Sequence, residues 1–417
     1  MIPAFSIARL PRIEFGAGSI KKLPALAAGY GRTLLLVTGA GSLDRSGVWP
    51  ALEKGLDQAG LHWQRLRVSG EPSPQMVDEA VATHRDQAID LVIGIGGGSV
   101  LDAAKAISGL LRNGDPVRNY LEGVGPEKTY PGPAVPFIAV PTTAGTGSEA
   151  TKNAVLSVPG HDGFKKSFRD EQLVPEYALI DPDLLASCPP ALIAADGMDA
   201  LTQLLESWLS IRANPVSDAL AWSGLEAARD SLLPWYEGSA EPAAARAGMA
   251  YAALVSGITL AQVGLGSVHG LASPLGAFFP IPHGVVCGTL VGAASRVNID
   301  AMRAREPGNP ALAKYARVAE LLCQRSFATQ EQAHEALLAL LDDWTQRLQL
   351  PLLDRYGIKP ADFDHIVAHA RGSSMKTNPV VLRDEEIAAV LAQRCSAEPE
   401  KPGPSPLCSL QTVTGPP

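Results

Sequence analysis

Cysteine is scarce in this chain of 417 residues: Cys188, Cys287, Cys323, Cys395 and Cys408 are five, scattered and odd in number. With no CxxC pair, they suggest neither a disulfide framework nor a thiolate zinc site, and they fit a reducing compartment. Surplus positive charge is missing as well. Lys and Arg number 35 against 43 Asp and Glu, a formal net charge of -8. A nucleic-acid binder needs basic groups in excess for phosphate contacts, so that class is disfavoured. The N-terminal MIPAFSIARLPRIEF has Pro3 and charged residues where a signal peptide needs an apolar core, and a cytoplasmic protein is expected.

One stretch imitates a membrane span: residues 247–268 carry no charge and are nominally long enough to cross a bilayer. They also hold four glycines, two serines and Gln262, with much alanine. This composition predicts a helix buried in a helical core rather than a span. What is abundant points the same way. Hydrophobic residues make up 46% and charged residues 19%, and the length exceeds what one hydrophobic core usually serves, so two domains are expected.

Strand-like and helix-like segments alternate through the first half. RTLLLVTG (32–39), DLVIGIGG (90–97), PFIAVPTT (136–143) and YALIDP (177–182) read as strands buried on both faces. Helical patterns at 76–87 and 99–113 lie between them, which implies right-handed βαβ crossovers and a mostly parallel sheet. After the Pro-Pro pair of 188–192 the strand signal stops. Segments 191–210, 217–238, 243–257, 328–348 and 382–395 repeat apolar residues at three and four positions. The expected organisation is an α/β nucleotide-binding domain over 1–188 and an all-helical domain over 189–395. A Pro-, Ser- and Glu-rich tail over 396–417 should lack fixed structure.

Two loops carry the first chemistry. GIGGGSVLDAAK (94–105) places a glycine turn between a strand and a helix, where backbone N–H groups can approach a pyrophosphate. It lacks the GxGxxG pattern, because Ser99 stands at the third glycine, and alone it fits an ordinary capped turn equally well. PTTAGTGSEAT (141–151) adds a second loop rich in hydroxyls after another strand. Two such loops at one sheet edge favour a nucleotide site.

GGGSxxDxAK and PTTAGTGSE resemble signatures of the iron-containing alcohol dehydrogenases, as do FGAGS (15–19), LIDPDL (179–184) and SSMKTNPV (373–380). The motifs occur in order and cover nearly all of the chain except its tail. The resemblance implies an α/β domain with a mostly parallel nucleotide-binding sheet, followed by a helical metal-binding domain. It implies that Gly97, Gly98 and Ser99 hold the pyrophosphate with Asp102 close by. Thr142, Thr143 and Thr146 would then contact the adenosine and phosphate portion. Lys165 aligns with a family lysine near the cofactor, or is a solvated charge. Relatives that select NAD often carry Asp after the first long strand; here Gly39 stands there. A 2′-phosphate is therefore not excluded, and Ser42 or Arg45 could bind it, although Gly39 also suits a plain turn.

The same resemblance implies a divalent metal held by an Asp and three His. Asp199, His269 and His283 match three of these positions, but the partner four residues after Asp199 is Gln203. A carboxylate with two imidazoles still suits Zn2+ or Fe2+, and Gln203 could add a carbonyl oxygen or hold a metal-bound water. Ser273 stands where many relatives carry a second His, so a titratable relay is missing there. His365 and His369, four apart, read as surface or packing residues. The expected function is an NAD(P)(H)-dependent alcohol dehydrogenase or aldehyde reductase. It would act on a small alcohol or aldehyde, without nucleic acid or membrane, as a homo-oligomer. The alternatives are a metal-independent ketone or oxo-acid reductase of the same fold and a silent nucleotide-binding protein.

Overall fold

Short runs of branched apolar residues form strands when both faces can be covered, and that condition holds here for the sheet centre. A computed structural model describes residue 2 and residues 4–396. Its strands are β1 (Arg12–Phe15), β2 (Thr33–Gly39), β3 (His62–Val68), β4 (Leu91–Gly96), β5 (Phe137–Pro141), β6 (Asn153–Val158), β7 (Phe164–Arg169) and β8 (Tyr177–Ile180). Six of them pair in the order β1-β8-β5-β4-β2-β3, all parallel, while β6 and β7 form an antiparallel hairpin. Every residue of β4 and β5 is buried. Successive side chains alternate between two cores: Leu34, Leu36 and Ile93 lie in one, Leu35, Val37 and Val92 in the other. Burying each such side chain contributes about 1.5–3 kcal/mol.

The four strands expected from apolar runs are β2, β4, β5 and β8. Strands β1, β3, β6 and β7 escaped that reading for a common reason. His62, Gln64 and Arg67 of β3 face outward at a sheet edge, and β1 is short and mostly exposed, so neither looks like a buried run.

Beyond Ile180 the described residues form no further strand. Long helices span Pro190–Leu209, Pro215–Glu237, Pro242–Val263, Ser267–Phe278, His283–Arg305, Pro310–Cys323 and Gln330–Arg347. Proline opens four of them, at 190, 215, 242 and 310, where its missing N–H costs nothing. Asn214 caps one through Val216 and Ser217. The uncharged 247–268 stretch divides between two helices because Gly264 turns the chain at φ 72°. Among the described residues, Pro242–Val263 is the one helix long and apolar enough to cross a membrane, and 61% of its most apolar window is buried inside the protein. Most of the tail expected from residue 396 onward lies outside the described residues.

Candidate active site

Strand β3 lies on the outer side of β2 and β4 on its inner side, so the chain reverses direction between the ends of β2 and β4. Ligands of open α/β sheets bind in the crevice outside the strand ends at such a point. Gly97 caps the Gly98–Leu110 helix, whose first N–H groups have no intrahelical partner. Gly98 and Ser99 line the crevice. A Cβ on Gly98 would stand 2.7 Å from the Thr146 side chain, and one on Gly97 would stand 3.2 Å from Thr143. The glycines are therefore set by the approach of the second loop. Thr142 continues from β5 with its N–H bonded to the Gly96 carbonyl at 3.0 Å.

A half-buried carboxylate and a fully buried ammonium tie these loops together. Asp102 accepts from Ser148 Oγ at 2.5 Å and from the Val155 N–H at 3.2 Å. Lys105 is fully buried and donates to the carbonyls of Ser148 and Asn153 and to the hydroxyls of Ser148 and Thr151, at 2.7–3.0 Å. Burial brings its ammonium down to about 8 against the attraction of Asp102 and Glu149, and burial raises the Glu149 carboxyl to about 7. One strand over, Gly39 ends β2, and a Cβ there would lie 3.2 Å from Ser42 Oγ. The neighbouring carboxylate, Asp44, is gripped by Arg65 at 2.8 and 3.1 Å.

Across the cleft, three helices bring polar side chains together. Asp199 and Gln203 are one turn apart on Pro190–Leu209, His269 is on Ser267–Phe278, and His283 opens His283–Arg305 with Cys287 one turn later. His269 Nε2 is 3.2 Å and His283 Nε2 3.8 Å from Asp199 Oδ1. Cys287 Sγ is 3.5 Å from His269 Nε2 and 3.8 Å from His283 Nε2. One ligating atom from each of the four falls within 4.8 Å of the others. Asp199 Oδ2 is buried without a hydrogen-bond partner among the described residues. A carboxylate left this way is costly unless something else satisfies it, and a cation would.

Burial lowers His269, but Cys287, Asp199 and Glu206 together raise it well above 6.5, so this ring must lose a proton to ligate an ion, whereas Asp199 and His283 already stand in ligating form. Burial pushes the Asp199 carboxyl up, but His283 and His269 outweigh it and hold the group at about 2. Burial brings His283 down to about 4, leaving a neutral ring. An ionised carboxylate and a neutral imidazole are the forms that bind metal. Glu206, two turns beyond Asp199, accepts from His269 Nδ1 at 2.6 Å and from the Val268 N–H at 2.7 Å. It thus caps the His269 helix and turns Nε2 of that ring toward the cluster. Asn378, from the SSMKTNPV segment, accepts from the Ser267 N–H at 3.0 Å and completes the cap.

The structure brings most of the candidate residues to one cavity of about 500 Å³, whose wall includes Gly98, Ser99, Thr146, His269 and His283. Asp102, Lys165, Gln203 and Ser273 also reach that wall. Lys165 sits on β7, ion-paired with Glu71, and its carbonyl accepts from Ser273 Oγ at 2.9 Å. Gly39 and Ser42 lie apart from this cavity, at the end of β2. Phe278 packs on His365 and His369 and, with Phe279, stays off the cavity wall. Sequence reasoning gave no role at the site to Glu206, Lys105 or Cys287. Their signals were helical spacing from Asp199 and His283, and the lysine inside the GGGSxxDxAK motif.

Glycine- and threonine-rich loops at the switch point of a parallel sheet, sharing a cleft with a carboxylate–imidazole cluster, fit a dinucleotide-dependent oxidoreductase with room for a metal. Residues 11–182 match the family model for iron-containing alcohol dehydrogenase, and residues 193–395 match that of the Fe-containing alcohol dehydrogenase family, C-terminal. Alcohol dehydrogenase 4 of Saccharomyces cerevisiae (strain YJM789) is 32% identical over 361 residues, covering 86% of this chain and 89% of the yeast protein. NADPH-dependent butanol dehydrogenase of Clostridium saccharobutylicum is 30% identical over 402 residues, covering 91% and 96%. The crystal structure of 1,3-propanediol oxidoreductase is similar with a TM-score of 0.83 at 29% identity, over 94% of this chain and 100% of that one. The chain belongs to the iron-containing alcohol dehydrogenase family. It is an NAD(P)-dependent oxidoreductase acting on CH–OH groups, an alcohol dehydrogenase or aldehyde reductase.

Proposed function

We propose that Asp199, His269 and His283 hold a divalent cation, and that the turn of Gly97, Gly98 and Ser99 holds the cofactor pyrophosphate. Small alcohols and aldehydes would be interconverted between them. The observation that carries this reading is the single cavity whose wall includes both the glycine turn and the two histidines. When bound, the cation polarises the substrate oxygen and the nicotinamide carries the hydride. The chain positions both. Glu206 fixes the His269 ring, and buried Asp199 places a negative charge where water is excluded. Thr143 and Thr146 pack on the glycine turn and shape the phosphate seat. Reduction consumes an aldehyde, NAD(P)H and one proton. Ser273 already donates to the Lys165 carbonyl, and the ammonium groups on the same wall are those of Lys165, paired with Glu71, of Lys166 and of Lys376.

NADP(H) is the preferred cofactor in this reading. Gly39 offers no carboxylate to repel a 2′-phosphate, Asp44 is occupied by Arg65, and Arg45 lies over Gly41. The edge strand β1 exposes Ile13 and Phe15, which supports assembly with a second copy. Cys188, Cys287, Cys323 and Cys395 are free thiols, in keeping with a cytoplasmic location. The test is His269→Ala, assayed with short aldehydes and followed by cofactor fluorescence. Turnover should fall about a thousandfold, the several kcal/mol that a Lewis acid supplies, while cofactor binding persists. Undiminished turnover would promote the metal-independent reductase. Cofactor binding without turnover in the unaltered protein, on any aldehyde or alcohol tried, would favour the silent binder.

A further inference from the structure

Gln203 removes one imidazole from the expected ligand set, and its amide does not take the vacant role. Its Nε2 donates to Asp199 Oδ1 at 3.2 Å, and its oxygen accepts from Ser256 Oγ at 2.9 Å. The amide oxygen therefore turns toward Ser256, and the amide nitrogen, which has no lone pair to give, faces the cluster. A different donor stands in the gap. Cys287 follows His283 by one helical turn and so shares its face. A cysteine kept for packing would bury its sulfur among apolar groups, but this one lies beside two imidazole nitrogens.

The spacing is that of a coordination shell. A tetrahedral ion with metal–nitrogen bonds of about 2.05 Å and a metal–sulfur bond of about 2.3 Å sets neighbouring donors about 3.3 Å apart, or about 3.5 Å when one is sulfur. Here the separations are 3.2 Å between His269 and Asp199, 3.5 Å between Cys287 and His269, and 3.8 Å both between Cys287 and His283 and between His283 and Asp199, with all four donors within 4.8 Å of one another. Small adjustments of side-chain torsion would close such a shell.

We infer that Cys287 is the fourth protein ligand of the metal, in place of the imidazole absent at Gln203. The inference rests on the metal-dependent reading above. The thiol releases its proton to solvent as the sulfur–metal bond forms, so no oxidant or reductant is involved. Two anionic ligands neutralise a dication, whereas one carboxylate with three imidazoles leaves one positive charge. A thiolate also favours a borderline-soft ion such as Zn2+ over a harder one.

The test uses the full-length protein, stripped with a chelator, reloaded with Co2+ and examined by absorption and elemental analysis. The expected result is a near-ultraviolet sulfur-to-cobalt charge-transfer band beside visible d–d bands. Cys287→Ser should abolish the first, keep the second and weaken Co2+ binding by at least about tenfold, the scale that even outer-shell changes reach. Adding Gln203→His to that variant should restore affinity without restoring the band. Visible bands without charge transfer in the unaltered protein would overturn the ligand and leave the metal reading intact. A band that survives in Cys287→Ser would assign the sulfur elsewhere and overturn it too. Failure to retain any cobalt would remove the metal reading and the ligand together.

Discussion

The glycine and threonine loops and the donor cluster face each other across one cleft, yet they are built differently. The loops present backbone N–H groups and hydroxyls, and each position is set by a close approach, Gly98 to Thr146 and Gly97 to Thr143. The cluster presents ionisable side chains from three separate helices. A loop of the first kind constrains each residue, because any added atom meets a neighbour. A cluster of the second kind constrains only the sum of its donors. That is why Gln203 can stand where an imidazole is expected while a thiol lies 3.5 Å from His269.

The comparison breaks first at Asp199. Asp199→Asn keeps the shape and removes the charge shared by His269 and His283, so aldehyde reduction should drop by more than about a thousandfold, beyond roughly 4 kcal/mol. Bound metal, read by elemental analysis, should fall with it while cofactor affinity stays unchanged. Metal content and rate that both survive would mean the cluster is not the reacting centre.

Next in size is Lys105, which joins the two loops. Lys105→Met would leave Asp102 and Glu149 without their buried cation. We expect a stability loss of about 3 kcal/mol, the low end for breaking a buried pair, because Asp102 retains some exposure. Urea unfolding would read it, and an unchanged midpoint would contradict the assigned role. Gly98→Ala should weaken cofactor binding about tenfold to a hundredfold, from the 2.7 Å approach to Thr146, with metal content intact. Equal loss of metal and cofactor would show that the two sites are not separable.

The smallest effect is a pH slope. Burial raises Glu149 from 4.5 to about 7, so between those values the folded protein holds a proton that the unfolded chain has lost. Its contribution to stability is therefore highest below about 4.5, declines as pH rises from there to about 7, and is level above that. Glu149→Gln should remove that slope from urea midpoints measured across the range. An identical slope in the variant would place the titration elsewhere.

The same contrast governs what could be read from the sequence. The glycine turn and the threonine loop were legible because each is a contiguous stretch after a buried apolar strand. β2, β4, β5 and β8 were legible for the same reason, and helices such as Pro190–Leu209, Pro215–Glu237 and Gln330–Arg347 through their apolar spacing, whereas Ser267–Phe278, His283–Arg305 and Pro310–Cys323 were not read. The edge strands β1 and β3, and the hairpin carrying Lys165, mix polar and apolar residues and gave no comparable run. Asp199, His269 and His283 became visible through the family motifs, not through spacing, since no local pattern joins positions on three helices. Cys287 was hidden by residue type: a lone cysteine among Val286, Gly288 and Thr289 reads as core until the fold sets it beside two histidines. Glu206 was hidden because its partner is a helix end contributed by residues far along the chain.

We propose that this one cleft works with both a metal and a nicotinamide. Its most direct test is the untagged protein, assayed for metal content and for NADPH and NADH oxidation with short aldehydes, before and after chelation. The expected result is near-stoichiometric divalent metal, faster turnover with NADPH, and loss of turnover on chelation that returns when metal is restored. Full turnover with no bound metal would contradict it.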